Sequence, residues 1–269
     1  MALLLMGFNG PIMVSIYTTY NYILRFLNEI ASRVELSSVY SFGNVFAKKE
    51  QERVYSLFKE FLMLFILIAF SMSFTFLIGI RGFISVWVGK DNYILSYLTI
   101  VLFTSTLFLN ILYYPLVALI NADGLFKDNK KHIFICALTN LVSSIILINF
   151  FGIKGILFGT AISFLLNILL KSNLVAKKIL KDIKLISVLK YYIITIILFI
   201  VLALVLEPIE LYFLNNSTGF ITTILKLGII FVLVTMITSG VLYFVSNDAK
   251  NLFSRIIGLI KRKLKVKEN

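Results

Sequence analysis

The stretch Thr18–Glu35, TTYNYILRFLNEIASRVE, decides how the chain is read. On a helix, at roughly 100° per residue, Thr18, Asn21, Arg25, Asn28, Glu29, Ser32, Arg33 and Glu35 fall on one side. The other side carries Ile16, Ile23, Leu24, Phe26, Leu27, Ile30 and Val34. Arg25, Glu29 and Arg33 recur four residues apart, so neighbours can pair along the helix. An amphipathic helix of a soluble protein has the same pattern, and the flanking sequence decides between the two settings.

That flanking sequence belongs to a membrane. The chain of 269 residues is 59% hydrophobic and 14% charged, with a mean hydropathy of +0.96. Soluble domains are about half apolar and about a quarter charged. The net charge of +13 does not call for nucleic acid, because most of the Lys and Arg lie in residues 48–59, 127–131, 171–190 and 250–267. Long apolar runs separate these stretches, which is the positive-inside pattern. Cys136 and His132 are each the single residue of their type, so no disulfide framework or thiolate metal site is expected. His132 reads as a solvated residue of a basic loop. No cofactor and no metal site is expected, and no enzyme constellation is visible. Met1–Met6 lacks the features of a cleavable signal.

A spanning helix needs about 20 apolar residues, and seven segments approach this. They are Pro11–Phe42, Leu57–Ile80, Tyr93–Ile120, Ile133–Phe151, Ile153–Val175, Tyr191–Leu206 and Phe220–Val245. Pro115 is expected to kink the third, and Gly152–Lys154 to turn the fourth back on the fifth. In Gly152, Gly155 and Gly159 the spacing suits close helix packing rather than a phosphate loop. Glu207–Gly219 reads as an outer loop, and Trp87 suits a membrane interface. The tail Lys250–Asn269 sets Leu252, Phe253, Ile256, Ile257, Ile260 and Leu264 against Lys and Arg, as an interfacial helix does. Basic stretches alternate with poor or acidic ones, which places the tail in the cytoplasm. The apolar stretch in residues 1–10 is too short to span and reads as the remnant of a preceding helix.

Four stretches carry a family resemblance: VSIYTTYNYILRFLN (Val14–Asn28), FISVWVGKDNY (Phe83–Tyr93), NADGLFKDNKKH (Asn121–His132) and NLVSSIILINFFGIKGILFGTAIS (Asn140–Ser163). In their order and spacing the chain resembles the C-terminal half of Wzx-type flippases for O-antigen, capsule or teichoic-type polysaccharide. These belong to the multidrug/oligosaccharidyl-lipid/polysaccharide exporter superfamily, with MurJ and MATE transporters as relatives. The resemblance implies an all-α polytopic bundle, a second lobe over residues 11–190, two additional helices over 191–248 and a basic cytoplasmic tail over 249–269. It implies a bacterial cytoplasmic membrane and a polyprenyl-pyrophosphate-linked oligosaccharide as substrate, moved by alternating access with proton or sodium coupling. The first lobe of that family is not in the sequence, so a separate N-terminal lobe or a homodimer is expected to complete the cavity. A non-transporting fragment, a half-transporter dimer and a MATE-like drug or cation exporter are the competing readings.

Arg25 is the leading cavity candidate. It lies roughly 21 Å along a helix begun at Pro11, near mid-membrane. A charge there costs about 2.5–3.5 kcal/mol on insertion scales, and arginine matches phosphate oxygens bidentately. The alternative for Arg25 is an internal pair with Glu29. Glu29 could neutralise Arg25 or join proton coupling, and Arg33 sits nearer the cytoplasm. Asn28 and Asn140 could bond sugar hydroxyls, although intramembrane amides such as these, Asn110 and Asn167 more often bond across helices. Lys171 could meet a phosphate on entry or serve as a positive-inside anchor.

Overall fold

The computed structural model describes residues 2–48, 51–181 and 183–267, and the side chains of 10–48, 53–181 and 183–258. The chain is all-helical, with no strand among the described residues. Helix α1 (Ala2–Ala47) is broken at Gly10, whose φ of 77° lies in the left-handed region, so a fresh helix starts at Pro11. It is followed by α2 (Gln51–Trp87), a 3-10 turn at Asp91–Tyr93, α3 (Tyr97–Leu112) and α4 (Tyr114–Ala122). Then come α5 (Phe126–Phe151), α6 (Ile153–Leu174) with a π turn at Val175–Ile179, α7 (Leu185–Val205), α8 (Glu207–Asn215), α9 (Phe220–Val245) and α10 (Asn247–Lys267).

Six helical stretches are long and apolar enough to cross a membrane: Arg53–Trp87, Tyr97–Ala122, Phe126–Phe151, Ile153–Ile179, Leu185–Val205 and Phe220–Val245. This is the make-up of a multi-pass membrane protein. Pro11–Phe42, expected as a seventh, is helical throughout but is not among the six. Its Asn21, Arg25, Asn28, Glu29, Arg33 and Glu35 hold its hydropathy down.

Pro115 acts as expected. It stands at the start of α4, and the helix is interrupted at Tyr113. Gly152, at φ 57°, turns α5 back onto α6, and these two helices pack against one another more extensively than any other pair. Close approach explains this. A Cβ on Gly155 would collide with the backbone of Leu147, and one on Gly159 would lie 2.8 Å from the Ser144 amide. Ser163 Oγ adds a hydrogen bond to the Cys136 carbonyl at 2.8 Å.

The core lies between α2, α3 and α7. Phe108 stacks on Phe199 at 4.1 Å, Phe70 meets Phe108 edge-on at 5.1 Å, and Phe74 stacks on Phe199 at 5.6 Å. The segment Glu207–Gly219 is not the loop its composition predicts. Residues Glu207–Asn215 form α8, because Pro208 and two glutamates occupy its first turn. Helix α8 lies on α2, with Phe213 and Ser217 close over Gly82.

Ion pairs mark the two ends of the bundle. At one end Lys59 pairs with Asp248 at 2.7 Å, Arg255 with Glu60 at 2.9 Å and Lys178 with Asp128 at 2.7 Å. These contacts join the basic stretches to one another. At the opposite end Arg81 pairs with Glu210 at 2.8 Å.

Candidate functional site

The polar face of α1 divides in two. Ile16, Tyr20, Leu24, Ala31, Glu35, Ser38 and Phe42 form its buried arc against α2, α3 and α4. Two polar residues turn inward with this arc. Asn28 accepts a hydrogen bond from Asn110 Nδ2 on α3 at 2.6 Å, and Glu35 accepts one from Asn121 Nδ2 on α4 at 3.4 Å. Asn28 and Asn110 therefore bond across helices, the commoner of the two roles weighed for such amides. Glu35 is 6% exposed.

Arg25, Glu29 and Arg33 turn outward, all three exposed. Phe26 and Ile30, expected on the side opposite the polar residues, share this exposed arc with Tyr22 and Leu36. The reason is local chemistry. Amides on α3 and α4 satisfy Asn28 and Glu35, which lets these polar groups pack and leaves Phe26 and Ile30 outside. Glu29 pairs with Arg33 at 2.6 Å, not with Arg25. Arg25 makes no ion pair among the described residues.

The secondary candidates lie elsewhere. Asn140 is half-buried on α5, where its Oδ1 accepts from Ser144 Oγ at 3.5 Å within the same helix. Lys171 is 2% exposed, far more enclosed than an interfacial anchor. Its Nζ donates to Asn129 Oδ1 at 2.6 Å and stands 5.9 Å from the Tyr113 ring. His132 is not a loop residue. It sits half-buried on α5 with its Nδ1 enclosed and unbonded. The structure thus keeps Arg25, Glu29 and Arg33 on one exposed stripe and brings Lys171, Asn129 and His132 together on the α5–α6 hairpin. Helical spacing alone groups residues 25, 29 and 33. The Lys171 cluster joins residues some 42 positions apart, which no local spacing announces.

Two further features escape a sequence reading. One is the Arg81–Glu210 pair, in which Glu210 is wholly enclosed. Burial raises the Glu210 carboxyl above its ordinary value, while the charge and hydrogen bond of Arg81 pull it down. The other is a cavity of about 570 Å³ between α2, α7 and α9, lined chiefly by residues such as Phe70, Phe74, Leu198, Val234 and Ile237. Its lining contains no Lys or Arg. No group of three or more His, Cys, Asp or Glu positioned to hold a metal occurs among the described residues.

Comparison with known protein families, curated proteins and solved structures returned no match to this chain.

Proposed function

We propose that this chain forms one lobe of an exporter that moves polyprenyl-pyrophosphate-linked oligosaccharide across a bacterial cytoplasmic membrane. The exposed stripe of α1 would form one wall of its hydrated cavity. The observation that carries this reading is the position of Arg25. It lies in the middle of a helix of membrane length, exposed and without an ion-pair partner among the described residues. Lipid does not accept such a residue cheaply, so the stripe needs water, a substrate or another protein in front of it. A pyrophosphate meets the chemistry of two arginines eight residues, about two turns, apart on one face, with Glu29 holding Arg33 in place. The sugars would follow through the cavity while the polyprenyl tail stays in lipid. The basic end of the bundle faces the cytoplasm on this reading.

The test is surface polysaccharide in cells that depend on the complete transporter. Arg25→Ala should abolish it with membrane levels of the protein unchanged, and Arg25→Lys should restore part of it. Normal output from Arg25→Ala would sink the reading.

The same stripe supports a second reading, in which the opposite wall is another copy of this chain. Tyr22, Phe26 and Ile30 alternate with the charges and would supply the apolar contacts of such a face. Co-purification of two differently tagged copies would establish it. A cation exporter is the weaker alternative, because two arginines on the stripe repel a cationic drug.

A further inference from the structure

Lys171 is more enclosed than any other lysine or arginine whose burial is described, and it lies near the basic end of α6. Its only polar partner among the described residues is the Asn129 amide at 2.6 Å, and no described carboxylate comes within ion-pair reach. An amine that is 2% exposed has no room beside it for a phosphate or a sugar. A proton is the one ligand that such a site admits. Burial without a counter-charge is also the setting in which a lysine exchanges its proton rather than holding it.

A route to that amine is built into α5. His132 lies three residues beyond Asn129, on the same side of the helix. It is half-buried, it feels the Lys171 charge, and its enclosed Nδ1 has no partner among the described residues. Imidazole is the side chain suited to passing protons near neutral pH. The remaining groups around the amine do not hold its charge. Cys136 on α5 is a buried thiol, and Tyr113, at the break between α3 and α4, presents its ring face. Asn167, one turn back on α6, leaves its own Oδ1 unbonded. Glu35 on α1 acts on Tyr113 but is held by Asn121. Lys177 and Lys178 on the π turn are exposed, and Lys178 pairs with Asp128.

We infer that Lys171 and His132 form a reversible proton-binding site in the α5–α6 hairpin, where His132 passes protons between the basic end of the bundle and the Lys171 amine. A hydronium ion at that end gives its proton to His132, leaving water and an imidazolium. Transfer then breaks one ring N–H bond, forms one Nζ–H bond and returns the imidazole to neutral. Release runs in reverse and consumes nothing else. If the chain is an exporter, this site couples transport to the proton gradient. That role rests on the transport reading, and the site itself does not.

The experiment uses the full-length protein in phosphatidylethanolamine–phosphatidylglycerol vesicles. Protons bound per chain are counted between about pH 6 and pH 9, where ordinary lysine and arginine keep their charge. Wild type should exchange one proton more than Lys171→Arg, which keeps the charge but cannot release it. The single histidine gives a second measurement that needs no variant. In protein labelled with 13C-histidine, the His132 signal should show two inflections with pH, because coupled groups titrate in two steps. Equal proton counts, or a single inflection, would overturn the proposal. A titrating Lys171 in a protein that transports no lipid-linked sugar leaves the site standing and removes the exporter reading instead.

Discussion

Arg81 and Glu210 show what a buried charge demands of its surroundings. Arg81 is near the C-terminal end of α2, Glu210 is on α8, and the two meet at 2.8 Å with the glutamate fully enclosed. One oxygen of Glu210 and the Arg81 Nε find no other partner among the described residues. Removing the arginine alone leaves a desolvated carboxylate, a change that costs about 3–5 kcal/mol in comparable pairs. Removing both charges leaves an apolar contact and costs far less. Arg81→Leu should therefore lower the thermal midpoint of the purified protein sharply, and Arg81→Leu with Glu210→Leu should recover most of the loss. Equal midpoints for wild type and Arg81→Leu would mean that the pair does not hold α8 to α2. Neither residue announces the other in sequence. They are 129 positions apart, and α8 itself lies where composition predicts a loop.

At the scale of elements, the α5–α6 hairpin shows which part of the fold was legible. Gly152, Gly155 and Gly159 are spaced as a turn and a packing face, and they serve as both. Local sequence carries this information because the residues that pack are near neighbours. The kink at Pro115 was legible for the same reason, since a missing N–H acts within one turn. Helix α1 was legible only in part. Its period marked a polar face, but which polar residues point inward depends on Asn110 and Asn121 in α3 and α4. The hairpin yields a direct test. A valine at Gly159 must displace Ser144, an overpacking that costs about 1–3 kcal/mol. Cys136, which faces Ser163 across the hairpin, should then react faster with a maleimide in Gly159→Val than in wild type. Gly43→Val, where a Cβ meets nothing within 4 Å, serves as the control and should leave that rate unchanged.

For the whole molecule, the distribution of ion pairs and basic residues fixes an expected orientation. The chain turns back at Gly152 and again through α8, and the pairs Lys59–Asp248, Arg255–Glu60 and Lys178–Asp128 gather at the end opposite to Arg81–Glu210. Lysine and arginine are biased to the cytoplasmic ends of spanning helices, so the lysine-rich end should remain in the cytoplasm. Two exposed positions report on this, Lys127 at the basic end and Asn216 beyond α8 at the other. In a Cys136→Ala background, Asn216→Cys should react with a membrane-impermeant maleimide in intact spheroplasts. Lys127→Cys should react only after the membrane is opened. The reverse pattern would turn the bundle over and move the tail outside. The Arg25 stripe would then meet the membrane in the opposite sense, and the Lys171 amine would draw its protons from the outer face.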